Sequence, residues 1–196
     1  MKFIFILFLT TTFISSNIFS ADVDSQNCSI KNVPSEERSF SNNFAGVFNG
    51  KRLEYTASLN EKILYEKDNP SEPMASFFYT EYIVDSEVDR PVIFSFNGGP
   101  GSASLWLHMG VLGPKVIKVP SDASDDGSAP YKIIDNKLSP LSDADLVFID
   151  PIGTGYSRAI GCHEPEEFWG VSEDPKIIAE FIRRWINDNK RWNSPR

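Results

Sequence analysis

A chain of 196 residues, 41% hydrophobic and 23% charged, is long enough for one domain with a real core and is not composed like a disordered polypeptide. Its 19 basic against 27 acidic side chains leave a net charge of −8, which excludes nucleic-acid binding through a basic surface. With two cysteines, two histidines and no Cys-x-x-Cys, neither a metal nor a cofactor is expected.

Taken in order, the chain opens with Lys2, the apolar run Phe3–Leu9 and a Thr/Ser-rich tail to Ser20-Ala21, the form of a secretory signal peptide over residues 1–20. The apolar run is too short to span a bilayer, so a secreted or periplasmic protein with no membrane attachment after cleavage is expected. Cys28 and Cys162 are candidates for pairing in such a compartment, although their spacing does not require it. Residues 21–43 are polar and read as a flexible lead-in to a domain over 44–196.

Asn49-Gly50 between apolar flanks predicts a β-hairpin. In its second arm Leu53, Tyr55, Ala57 and Leu59 alternate with Arg52, Glu54, Thr56 and Ser58, the pattern of a half-buried antiparallel strand. A short strand is expected at Ile63–Tyr65, a break at Asp68-Asn69-Pro70, and another strand over Phe77–Val84. Val92–Phe96 reads as a central strand ending in the turn Asn97-Gly98-Gly99-Pro100-Gly101, with a helix over Ser102–Leu112 stopped by Gly113-Pro114. Lys115–Val119 is expected as a short strand. Asp122-x-Ser124-x-Asp126-Gly127 reads as a surface turn, because Ile133 stands where a calcium loop needs Glu. A buried strand, Asp145–Asp150, ends in a second glycine turn, Pro151–Gly155. Asp174 as cap and Pro175 at the first position open a last helix, on which Ile177, Ile178, Phe181, Ile182, Trp185 and Ile186 form one apolar stripe.

The first glycine turn has a chemical consequence. Adjacent glycines after a strand let backbone N–H groups approach a ligand closely, and a helix N-terminus behind them adds positive potential. Such a turn suits a carboxylate, a phosphate or the oxyanion of acyl transfer.

Asn97-Gly98-Gly99-Pro100-Gly101-Ser102, Gly113-Pro114 and Asp150-Pro151-Ile152-Gly153-Thr154-Gly155-Tyr156-Ser157 together resemble the serine carboxypeptidases, in order and spacing, over roughly Phe44 to Arg196. The resemblance implies an α/β class chain: the N-terminal half of an α/β-hydrolase fold, a mixed sheet with antiparallel edge hairpins followed by strand–helix–strand–helix. It implies that Gly99 gives an N–H to the oxyanion hole and that Asn97 and Gly98 hold the C-terminal carboxylate of a peptide substrate. By the same resemblance Gly101, Gly153, Gly155 and Tyr156 line the site.

Departures from the family pattern are equally specific. No Gly-x-Ser-x-Gly nucleophile elbow occurs, and the chain stops at Arg196 after a helix that should return to another strand. Val111 stands where some members carry a glutamate, and Ser95 and Ser102 where many carry Trp and Cys. Gly155-Tyr156-Ser157-Arg158-Ala159 is a near miss, but it follows its strand too late and opens no helix. His108 in its helix, and Cys162-His163 as chain neighbours, offer no catalytic pair. The expected protein is therefore a carboxypeptidase truncated before the elbow, without Ser/Asp/His catalytic residues and inactive alone. Its expected partners are a peptide C-terminus and the missing C-terminal part of the enzyme. A non-catalytic peptide-binding pseudoenzyme or an inert product is the alternative. The Gly99–Ser104 run fits a dinucleotide turn poorly, with Pro100 inside it and Ser104 in place of the last glycine.

Overall fold

The computed structural model describes residues 33–98, 101–118 and 129–194. The signal peptide, Cys28 and the Ser121–Gly127 turn of the sequence reading lie outside the described residues. So do Gly99 and Pro100.

Asn49 and Gly50 take φ of 47° and 78°, the pair of left-handed residues that a tight hairpin turn requires. They join β1 (Ser39–Phe48) to β2 (Lys51–Tyr65), antiparallel from Ser39↔Asn60 to Phe48↔Lys51. The ladder thus takes in Ser39–Asn43, which composition assigned to the flexible lead-in. Polar residues suit this strand because it is an edge and mostly exposed, and the Ser39 hydroxyl donates to Asn60 Oδ1 at 2.6 Å.

β2 also runs on as one strand past Asn60-Glu61-Lys62 to Tyr65, taking in the separate short strand expected at Ile63–Tyr65, and lies opposite β3 (Pro73–Val84). Its polar middle is satisfied by residues distant in sequence. Asn60 Nδ2 donates to Glu81, Glu61 accepts from Arg38 and Ser76, and Lys62 pairs with Glu37 and Asp188.

Two further strands complete the main sheet. β4 (Val92–Ser95) lies parallel to β7 (Asp145–Ile149), and β7 lies antiparallel to β3, giving the order β1-β2-β3-β7-β4. β8 (Arg158–Ala159) pairs with the start of β3. β5 (Lys115–Ile117) and β6 (Ile133–Asp135) form a separate antiparallel pair. The mixed sheet with few helices is that of a partial α/β fold.

β7 shows how this sheet is covered on both faces, since its side chains alternate between two cores. Val147 and Ile149 meet Phe77, Phe181 and Trp185, where α2 (Glu173–Asp188) lays down its apolar stripe. Phe181 is fully buried, with ring centroids 5.2 Å from Phe77 and 5.0 Å from Tyr79. Leu146 and Phe148 face the other way, toward Phe48, Tyr55 and Tyr82, with Leu107 and Leu112 packed against them.

The two expected helices both differ from the sequence reading. In place of a helix over Ser102–Leu112 there is one α-helical turn, α1 (Leu105–Leu107), which widens into a π-helical turn over His108–Leu112. The Gly113 N–H donates to the His108 carbonyl at 2.9 Å, the five-residue reach of a π-turn. So short a helix adds little dipole behind the glycine turn, and that part of the anion-site reasoning falls away. In α2 the cap is Ser172, with Asp174 and Pro175 inside the first turn.

Candidate functional site

The two glycine turns lie far apart in sequence, and one residue of the first ties them together. Ser104, 2% exposed, donates its N–H to Asp150 Oδ1 at 2.8 Å and its hydroxyl to the Ile149 carbonyl. That hydroxyl oxygen also accepts from the Asn97 N–H at 3.4 Å. The exit of β4 is thereby fastened to the exit of β7, its parallel neighbour. Burial raises the Asp150 carboxyl above its ordinary range, with the Ser104 N–H partly opposing that rise.

Asn97 shapes the first turn from inside. Its Nδ2 donates to the Ala103 carbonyl at 2.8 Å and to Ser102 Oγ at 3.3 Å, so both side-chain donors are engaged within the turn. Gly98 and Gly101 are exposed, with open space where a Cβ would stand, and Gly101 has φ of 101°. Approach to the backbone at Gly98 and Gly101 is unobstructed. Gly99, expected to supply the oxyanion N–H, lies outside the described residues.

In the second turn Gly153 (φ 86°) packs under Trp169, whose Cζ2 would lie 2.9 Å from an added Cβ. Trp169 also donates Nε1–H to the Ile152 carbonyl at 3.0 Å. Gly155 (φ 50°) sits against Asp150, and a Cβ there would collide with the carboxylate that holds Ser104. Tyr156 projects outward, 70% exposed, beside Phe78 at 5.7 Å between ring centroids. It lines one depression with Ser104, His108 and Asp150. Asn97 and Gly98 line a second, mostly apolar groove with Phe96, Pro151, Ile178 and Ile182. Asp174 borders the same groove, and its Oδ1 is buried without a hydrogen-bond partner.

Ser104 and Asp150 were missed as site residues by the sequence reading. Asp150 opens the DPIGTG run, which was the available signal. Ser104, which the sequence offers only as a poor dinucleotide-turn residue, gives none.

The other chemically able side chains are engaged elsewhere. Ser157 is fully buried and its Oγ accepts from the Phe78 N–H at 2.8 Å, fastening the second turn to β3. His108 stacks on Phe148 with ring centroids 4.6 Å apart, and its Nε2 lies 2.6 Å from the Tyr82 hydroxyl. His163 lies with Glu66 and Glu167, and Cys162 beside it is disulfide-bonded.

Burial pushes His108 down to about 4, so the fold holds a neutral ring that the unfolded chain would protonate below its ordinary value of 6.5. This contribution is complete above about pH 6.5, is lost as pH falls toward about 4, and is constant below that. At roughly 1.4 kcal/mol for each decade of proton affinity, it amounts to at most about 3 kcal/mol. Urea unfolding at neutral pH and near pH 4 is expected to show that loss. His108→Gln, which keeps an acceptor for the Tyr82 hydroxyl, is expected to flatten it.

Comparison with known proteins adds three findings. Residues 60–194 match the family model described as serine carboxypeptidase. The pheromone-processing carboxypeptidase KEX1 of Saccharomyces cerevisiae (strain JAY291) is 37% identical over 93 residues, 47% of this chain and 11% of the yeast protein. Serine carboxypeptidase-like 10 of Arabidopsis thaliana is 25% identical over 124 residues, 63% of this chain and 27% of the plant protein. The chain therefore matches well under a third of either relative's length. No solved structure matches it.

Proposed function

Because this chain belongs to the serine carboxypeptidase family, we propose that it is the N-terminal portion of a serine-type carboxypeptidase, which removes C-terminal residues from peptides through an acyl-enzyme. The observation that carries this reading is the Ser104 tie to Ile149 and Asp150, which brings both glycine turns to one place. In this scheme the first turn holds the substrate. Gly98 and the Asn97 region meet the terminal carboxylate, and the Gly99 N–H meets the negative charge that develops on the scissile carbonyl oxygen. Gly101 and Tyr156 would flank the chamber, while Gly153 under Trp169 and Gly155 against Asp150 set the shape of the second turn. The attacking serine, and the histidine and acid that serve it, come from a segment outside these 196 residues.

Three features support an incomplete chamber. No Gly-x-Ser-x-Gly occurs, and both histidines are already engaged, His108 by Tyr82 and Phe148 and His163 by Glu66 and Glu167. β4 ends the described sheet with Ile93 and Phe96 exposed, in the position where the α/β-hydrolase order places the next strand. The orphaned Asp174 oxygen borders an apolar groove beside Asn97 and Gly98, where a donor from another segment would complete it. A secreted or periplasmic location accords with the leader-like N-terminus and with disulfide-bonded Cys162.

The carboxylate contacts are tested by titrating the chain with a blocked dipeptide and with its C-terminal amide, following backbone NMR signals. A charge-assisted hydrogen bond is worth about 1.5–3 kcal/mol, so the free acid is expected to bind roughly tenfold or more tightly. The largest shifts are expected at Asn97 and Gly98. Equal affinity for acid and amide would overturn the assignment.

A further inference from the structure

A second cluster shares no residue with the glycine turns. Glu66 and Glu72 close the loop between β2 and β3, where the Glu66 N–H donates to the Glu72 carbonyl at 2.9 Å. His163 reaches them from the loop after β8, and one ligand atom from each of the three lies within 4.8 Å of the others. The His163 side chain is only 12% exposed. Its Nε2 is buried and makes no hydrogen bond, although it points at Glu66 Oε1 from 3.3 Å.

The other ring nitrogen explains that orientation. Nδ1 lies 2.8 Å from Glu167 Oε2, and Glu167 is itself fixed because its Oε1 accepts from the Glu164 N–H at 2.8 Å. With Glu167 on Nδ1, Nε2 is the ring nitrogen left to face Glu66 and Glu72. A buried ring nitrogen set among carboxylates with no hydrogen bond of its own is a position a cation can fill. An imidazole with two carboxylates suits zinc, whose bonds of about 2.0–2.1 Å set neighbouring tetrahedral ligand atoms roughly 3.4 Å apart. The Nε2 to Oε1 separation matches that spacing.

We propose that Glu66, Glu72 and His163 bind one divalent transition metal, zinc in the first instance, with Glu167 orienting the imidazole and water completing the coordination. The ion would pin the β2–β3 loop to the loop that carries Cys162. This site goes beyond the peptidase reading and stands without it.

The test uses the full chain, stripped with EDTA and titrated with Zn²⁺ alone under native mass spectrometry. One ion per chain is expected, with affinity reduced more than a hundredfold in His163→Gln and roughly tenfold or more in Glu167→Gln. A measurement on the unaltered protein guards against misfolded variants. Because the chain has two histidines, ¹⁵N imidazole signals can be assigned by elimination. Zn²⁺ is expected to move His163 Nε2 and leave His108 unchanged. No stoichiometric ion, an unmoved His163 signal, or binding retained in folded His163→Gln would each overturn the site.

Discussion

Replacing Asp145 with alanine is expected to cost the fold about 3–5 kcal/mol, a large part of the stability of an ordinary domain. Asp145 opens β7 and is 1% exposed. Its Oδ1 accepts from the Val84 N–H at 3.1 Å and from Arg90 Nε at 3.0 Å, and its Oδ2 accepts from Arg191 Nη1 at 2.9 Å. The guanidiniums reach further, Arg90 to the Leu141 carbonyl and Arg191 to the Arg90 carbonyl, each at 2.6 Å. One carboxylate therefore joins the end of β3, the approach to β4, the start of β7 and the segment after α2. With arginine side chains only 13% and 15% exposed, its removal leaves two largely buried charges unpaired. Asp145→Asn keeps an acceptor without the charge and is expected to fall between wild type and alanine. Urea midpoints at constant m-value measure the order, and a loss below about 1 kcal/mol for alanine would contradict it.

Where the fold was legible in sequence, the signal was local. Asn49-Gly50 specified its hairpin because few residues accept two successive positive φ values, and alternation placed Tyr55 inward, although the pattern reverses further on, where Leu59 is exposed and Ser58 buried. The apolar stripe of α2 likewise announced its buried face. What could not be read depended on distant partners. Asn60-Glu61-Lys62 looks like a break until Arg38, Ser76, Glu81 and Asp188 arrive to satisfy it. The π-turn opens at His108, which lies against Tyr82 and Phe148, contacts that no helical periodicity encodes. The same limit applies to function. The glycine motifs marked both turns, yet the contacts that join them run from Ser104 to Ile149 and Asp150, and the proposed metal ligands stand at 66, 72 and 163.

On the proposed reading, supplying a segment that carries the nucleophile should have the largest effect on activity. Acyl transfer at a peptide bond needs a nucleophile with a base, and both histidines of this chain are engaged by other side chains, His108 by Tyr82 and Phe148 and His163 by Glu66 and Glu167. An oxyanion N–H and a carboxylate clamp position a substrate but form no acyl-enzyme. A polypeptide carrying the family's Gly-x-Ser-x-Gly elbow with its later acid and histidine would add a strand beside β4, cover Ile93 and Phe96, and bring its serine to the first glycine turn. Backbone amides of Val92–Ser95 on the open edge should then gain protection from hydrogen exchange. The decisive measurement is hydrolysis of a blocked dipeptide by the purified chain, alone and mixed with that polypeptide. The account predicts no turnover by the chain alone and turnover by the mixture; turnover by the chain alone, or a stable mixture that remains inert with the β4 edge unprotected, would contradict it.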